Sequence, residues 1–210
     1  MNQIPLIACI NLYSREDRFI HMKNQFKNNN IKNVHFLRVD KHPKGGSIGC
    51  FDSHLQIYRY CIQNNKKYAL IFEDDVQINS KNIKNTINKF LYIIKNYPSW
   101  YKVNCHDWGV FNINEHIKKD IYKASGVGNC CYFISLTAMR KSLQKGITTT
   151  NVDLQQLFDF PSDKVFYITP SLTNMLPMGS DNQNWGQNIH AKICLFLQKL
   201  VNYIDSNPEI

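Results

Sequence analysis

Two unbroken apolar runs constrain this chain more than any other feature. Residues 6–12 read LIACINL, interrupted only by Asn11, and residues 68–72 read YALIF. A strand with one wet face alternates apolar and polar residues, whereas a continuous run belongs to a strand covered on both faces. Around these runs the period changes to that of helices. Phe19, Met22 and Phe26 share one helical face before the Asn run at 28–30. His54, Leu55, Tyr58 and Ile62 share a second, and Ile83, Ile87, Phe90, Leu91 and Ile94 a third. Ser14 and Ser47 fit N-caps, Glu16 and Asp17 suit a first turn, and Gly146 ends a short helix begun at Leu136.

Further strands are predicted at 34–39 (VHFLRV), within 100–111 with an exit loop, at 129–135 (NCCYFIS) and at 164–169 (KVFYIT). A C-terminal helix carries Ile189, Ile193, Phe196, Leu197, Leu200 and Ile204. Residues 41–49, KHPKGGSIG, read as a loop. Alternating strands and helices predict an α/β fold: a mostly parallel, Rossmann-like central sheet flanked by helices. No internal repeat and no Pro/Gly/Ser-rich linker divides the 210 residues, so a single domain spanning 1–210 is expected.

The second run ends in Glu73, Asp74 and Asp75. In parallel sheets, ligands bind at the C-terminal ends of strands. If the strand continues briefly, Glu73 and Asp75 face one way and Asp74 the other. Paired carboxylates make a hard-oxygen site suited to Mg²⁺ or Mn²⁺, and such an ion neutralises a diphosphate. Acids also simply end strands or make turns, and from these residues alone both readings stand.

Composition narrows the class. The net charge is +9, but the lysines are scattered and form no basic stripe, which argues against nucleic acid as a partner. Heavy use of Asn, Lys and Ile fits codon bias in an AT-rich bacterial or large-virus genome. The seven cysteines (9, 50, 61, 105, 130, 131 and 194) include no C-x-x-C pair. That argues against a structural zinc site and for free thiols in a reducing compartment. The first residues read as a strand rather than a signal peptide, and no stretch approaches the ~20 apolar residues of a membrane span. A soluble, cytoplasmic protein is expected.

Three segments in order, INLYSREDR (10–18), GSIGCFDSH (46–54) and ALIFEDDV (69–76), resemble glycosyltransferase family 25, the lipooligosaccharide glycosyltransferase and procollagen galactosyltransferase type. GNCCYFIS and NVDLQQLF resemble two later, looser blocks of that family. The resemblance covers most of residues 6–160 and leaves roughly 180–210 without a clear counterpart. It implies a GT-A-type fold and an inverting, divalent-metal-dependent transfer. The hexose, commonly galactose or glucose, would come from a UDP-sugar and pass to a glycan or protein hydroxyl. The nucleotide-sugar part would occupy roughly 1–110 and the acceptor side roughly 111–210.

Within that resemblance the metal falls to Asp75 as its direct ligand, with Glu73 as the second ligand or a ribose contact. Asp74, Asn11, Arg18, Gly49, Ser53 and His54 fall on the donor side. Arg18 would meet the diphosphate, though it also suits an ordinary helix surface. Asn11 would hold base or ribose, or cap its strand. Gly45, Gly46 and Gly49 could let backbone amides approach an anion, or make a simple loop. His54 is equally a hydrogen-bonded core histidine. An inverting transfer needs a base for the acceptor proton. Asp153 is the candidate, with an N-cap as its plain alternative, and Asp181 is its rival. His190 could close the metal site, but a solvated helix position suits it better. Trp100, Trp108 and Trp185 lie near strand or loop edges, where aromatics are more often core. The family pattern usually has a second acid just after the Asp153 position. Here Leu154 and Gln155 follow, which leaves a degenerate, non-catalytic binding domain as the alternative.

Overall fold

The structure is a computed structural model and describes residues 5–106, 109–149 and 151–176. Ten strands and five α-helices follow in order: β1 (Leu6–Leu12), α1 (Glu16–Asn28), β2 (Val34–Val39), α2 (Gly46–Gln63), β3 (Tyr68–Phe72), β4 (Val76–Ile78), α3 (Ile83–Asn96), β5 (Lys102–Asn104), β6 (Val110–Lys118), β7 (Ile121–Gly126), β8 (Cys131–Ser135), α4 (Leu136–Lys145), α5 (Val152–Asp159), β9 (Val165–Ile168) and β10 (Thr173–Met175). Eight strands form one sheet in the order β2-β1-β3-β8-β5-β9-β7-β6. The pairings make β2, β1, β3, β5, β9 and β6 run one way and β8 and β7 the other. The mostly parallel sheet expected from the apolar runs is therefore present. β4 and β10 form a separate antiparallel pair.

The apolar runs are explained by two cores. Leu6, Ala8, Ile10, Ala69 and Ile71 pack on one face with Phe51, Leu55 and Tyr58 of α2 and Ala138 and Met139 of α4. Cys9, Leu70 and Phe72 pack on the other, with Met22 and Phe26 of α1 and Phe90 and Ile93 of α3. Alternate residues of β1 and β3 thus feed opposite cores, which leaves Asn11, near the end of β1, as the one polar interruption of the two runs apart from the half-buried Tyr68.

Helix starts and one helix face differ from expectation. The residue before α1 is Arg15, not Ser14, and the one before α2 is Gly45, not Ser47; neither helix has a side-chain cap. Gly45 sits at φ 102°, where a glycine is favoured, so the chain enters α2 through a backbone turn and needs no capping side chain. On α3, Ile87 and Leu91 are exposed, while Thr86, Lys89, Phe90 and Ile93 are buried. The helix is rolled about Phe90, which stacks on Phe133 at 3.8 Å and meets Trp100 edge-on at 5.3 Å. Lys89 turns inward because Asp120, at 3.0 Å, and the Thr169 carbonyl receive its ammonium. The C-terminal helix predicted over 189–204 lies outside the described residues.

Candidate active site

β1 and β3 are parallel neighbours, with Cys9 opposite Phe72. The connection from β1 to β2 runs through α1 on one face, and that from β2 to β3 runs through α2 on the other. Their C-terminal ends therefore border a topological switch point, where open α/β sheets bind ligands. Two residues beyond Cys9 and Phe72 stand Asn11 and Asp74. The Asn11 amide donates to Asp74 Oδ2 at 2.7 Å across this gap.

The period of two carries past the end of β3. Asp74 continues the α1-facing row of Leu70 and Phe72, where Arg18 donates to its Oδ1 at 2.8 Å. Asn11 Oδ1 in turn accepts from Arg38 at 3.0 Å, and the Asn11 amide also donates to the Arg15 carbonyl. Asn11, Arg18 and Asp74 are all buried. Glu73 continues the α2-facing row of Ala69 and Ile71, and meets Cys50 and His54 of α2. Asp74 thus points away from Glu73, as the alternation predicts. Asp75 follows no alternation, because β3 ends at Phe72 and a turn leads into β4. That turn leaves Asp75 Oδ2 3.5 Å from Arg18.

Electrostatics separate the three acids. Burial pushes the Glu73 carboxyl up, helped by the charge of Asp74. Burial also pushes Asp75 up, helped by Glu73 and opposed by Arg18. Among the described residues Lys102 and Arg18 oppose the shift at Glu73 and Arg18 opposes it at Asp75, yet both carboxyls stay raised. In addition, Asp75 Oδ1 is buried and makes no hydrogen bond among the described residues. A hard divalent cation fits these residues: it supplies the missing charge and an oxygen ligand stands ready for it.

Behind Glu73 runs a buried chain of hydrogen bonds. Gln156 donates to the Tyr58 hydroxyl at 2.9 Å, Tyr58 and Tyr132 hydroxyls meet at 2.7 Å, and Tyr132 meets His54 Nδ1 at 2.6 Å. His54 Nε2 then lies 3.3 Å from Glu73 Oε1. Running all donors in one direction satisfies every link and puts the imidazole proton on Nε2, aimed at Glu73. Burial holds His54 down to about 4, so it is neutral at physiological pH. Lys102, also buried, gives its ammonium to Asn129 Oδ1 at 2.5 Å and to the Gly128 carbonyl at 3.1 Å. It lies 4.8 Å over the Tyr132 ring, and burial lowers it to about 8.

Asp153 is not an N-cap: that position belongs to Asn151, whose side chain accepts from the Asp153 and Leu154 amides. Asp153 follows Val152, which packs into the α2-side core, so this end of α5 lies on the same side of the sheet as Glu73. Gln155, in place of the expected second acid, spends its amide on Gly146, Thr148 and Thr149. Gly49 packs on the preceding loop, where an added Cβ would lie 2.8 Å from His42 Cβ. Ser53 donates back to the Gly49 carbonyl at 2.7 Å, within its own helix. Asp181, His190, Trp108 and Trp185 lie outside the described residues. Trp100 is buried in the α3-side core. Lys102, Tyr58, Tyr132, Gln156 and Arg38 join the site without a functional mark in the sequence: Tyr58 lies on a buried helix face, Tyr132 and Gln156 within the two looser family-like blocks, and Lys102 and Arg38 carry no local signal.

The six described cysteines are free thiols. No helix among the described residues is long and apolar enough to cross a membrane.

Residues 39–155 match the family model of glycosyltransferase family 25 (LPS biosynthesis protein). No curated protein sequence matches the chain. Two crystal structures share its fold at 10% identity. A glycosyltransferase involved in the glycosylation of the major capsid of PBCV-1 gives a TM-score of 0.50, covering 93% of this chain and 100% of that one. A197 from STIV gives 0.53, covering 80% and 83%.

Proposed function

The chain belongs to glycosyltransferase family 25, and on that premise we propose that it is an inverting GT-A-type enzyme. It moves a hexose, galactose or glucose, from a UDP-sugar to a glycan or protein hydroxyl. The donor occupies the β1/β3 switch point within roughly residues 1–110, and the acceptor comes from the side of roughly 111–210. The observation that carries this reading is the raised pair Glu73 and Asp75, with Asp75 Oδ1 buried and without a hydrogen-bond partner among the described residues. Glu73 and Asp75 would hold Mn²⁺ or Mg²⁺. That ion supplies charge neutralisation for the leaving diphosphate.

The remaining work falls to the chain's own groups. Arg18, held by Asp74, adds a fixed positive charge at the diphosphate end without having to be ordered on binding. Asn11 and Asp74 knit the two strand ends together and line the nucleotide side. His54, neutral and locked by Tyr132, orients Glu73. Gly49 and Ser53 shape the start of α2 at the donor side. Asp153 takes the acceptor's proton as the new glycosidic bond forms on the face opposite the departing diphosphate, with Asp181 as the rival base.

The test is thermal melting of the chain with a panel of nucleotide sugars, each with and without Mn²⁺, beside Glu73→Ala and Asp75→Ala. A metal-dependent upward shift for one donor, absent in both variants, is the expected result. At free donor near 100 times Kd that shift corresponds to about 2.7 kcal/mol. No shift with any donor overturns the enzyme reading. A shift without detectable sugar transfer selects the degenerate binding domain, which the committed amide of Gln155 favours.

A further inference from the structure

A thiol and an imidazole converge on a single carboxylate oxygen, three ligand types in one place. Cys50 and His54 stand four residues apart on α2 and so share one face of the helix. Cys50 Sγ lies 3.7 Å from Glu73 Oε1, His54 Nε2 lies 3.3 Å from the same oxygen, and the three ligand atoms fall within 4.8 Å of one another. A tetrahedral zinc with its usual bond lengths needs ligand edges of about 3.3–3.6 Å. Two edges of the cluster are therefore already close to size. The second observation is Tyr132, whose hydroxyl meets the far ring nitrogen, Nδ1, at 2.6 Å. A metal-bound histidine almost always donates its other ring N–H to an acceptor, and the Tyr132 oxygen stands where it accepts once the imidazole proton is on Nδ1.

We propose that Cys50, His54 and Glu73 form a Zn²⁺ site with an open fourth position, and that zinc there antagonises the donor. Thiolate and imidazole select zinc over Mn²⁺ or Mg²⁺, while Glu73 alone of the three suits the hard ions. On binding, the Cys50 thiol releases its proton to solvent and the sulfur bonds the metal. The His54 proton moves to Nδ1 and is donated to Tyr132, whose own hydroxyl turns toward Tyr58; the Tyr58 hydroxyl turns to Gln156, whose amide flips to accept it through Oε1. No oxidation is involved. Because Glu73 is also the proposed ligand of the donor's metal, the two ions compete for one carboxylate. The antagonism rests on that functional reading; zinc binding does not.

The experiment uses the whole chain and two ions. Titration with Co²⁺ is followed by the thiolate-to-cobalt charge-transfer absorption, and titration with Zn²⁺ by calorimetry. The wild type and a Cys194→Ala control are expected to show the band. Cys50→Ala is expected to lose it, with zinc affinity at least ten-fold weaker. Zinc should also protect Cys50 of the wild type from alkylation, mapped by mass spectrometry, a readout that needs no variant. Unchanged affinity in Cys50→Ala, or unprotected Cys50 at saturating zinc, overturns the site. Mn²⁺-dependent donor binding is then measured with and without zinc. A raised Mn²⁺ requirement, relieved in Cys50→Ala, supports the antagonism. Cys50-dependent zinc binding with undisturbed Mn²⁺ and donor binding overturns the antagonism and leaves the zinc site standing. Zinc bound at Cys50 with no donor binding under any condition overturns the donor reading instead.

Discussion

Asp74 and Glu73 are adjacent carboxylates at the end of one strand, and they lead opposite lives. Asp74 is turned to the α1 side, where Arg18 and Asn11 take both its oxygens. Glu73 is turned to the α2 side, where a neutral imidazole and a thiol are its hydrogen-bond partners. A one-residue step in a strand reverses the face, and the face decides whether a buried charge meets a cation. The comparison teaches that the acidic triplet is not one device. Asp74 is a structural tie that fixes Arg18, while Glu73 and Asp75 have carboxyls that stay raised despite the cations among the described residues.

Breaking the tie should have the largest effect. Asp74→Ala takes the nearest carboxylate away from a buried Arg18 and leaves Asp75 at 3.5 Å, and removing one partner of a buried pair costs about 3 kcal/mol or more. The melting temperature should fall by roughly 6–12 °C. Replacing both partners, as Arg18→Met with Asp74→Leu, should recover much of that loss, because the cost lies in the stranded charge. If Asp74→Ala melts with the wild type, Asp74 is no tie.

The hydrogen-bond chain behind Glu73 should matter less. Tyr132→Phe removes the hydroxyl between Tyr58 and His54, both fully buried, and strands the imidazole Nδ1. A loss of about 1–3 kcal/mol is expected in chemical denaturation. An unchanged midpoint would mean that the chain does not orient His54.

The smallest effect carries a sign that sharpens the comparison. The Glu73 pKa is raised on folding. From the ordinary carboxylate range upward, the folded protein therefore holds a proton that the unfolded chain has released. The Glu73 contribution to stability consequently falls as pH rises through that window. Glu73→Gln removes the titration, so at pH 8 without metal it should be more stable than the wild type, by about 1–2 kcal/mol. His54, held down by burial, works in the opposite sense between about 4 and its ordinary value, but it is present in both proteins and its contribution largely cancels in the difference. Melting curves at pH 5 and pH 8 check this. A Glu73→Gln variant less stable than wild type at pH 8 would place Glu73 with Asp74 as a structural charge.

Much of this arrangement was legible in the chain. The continuous runs 6–12 and 68–72 required strands buried on both faces, and the structure places both there because alternate residues feed two separate cores. The alternation also fixed Asp74 against Glu73. Less was legible where partners are distant. Residues 110–126 form the β6–β7 hairpin, yet β6 is largely exposed and its register shifts repeatedly, so no period marks it. On α3 the isoleucines predicted one face, and Phe90 stacking with the Lys89–Asp120 pair set another.

The sequence by itself therefore determined the two central parallel strands, the acids that follow the second of them and the family, because burial on two faces and a short ordered set of motifs are written locally. Only the tertiary structure decided what each acid meets. Arg18, Cys50 and His54 come from helices on opposite sides of the sheet, and Tyr132 from an antiparallel strand some sixty residues beyond Glu73. The charge balance of a carboxylate is set by neighbours in space within a few ångströms, and no spacing along the chain encodes them.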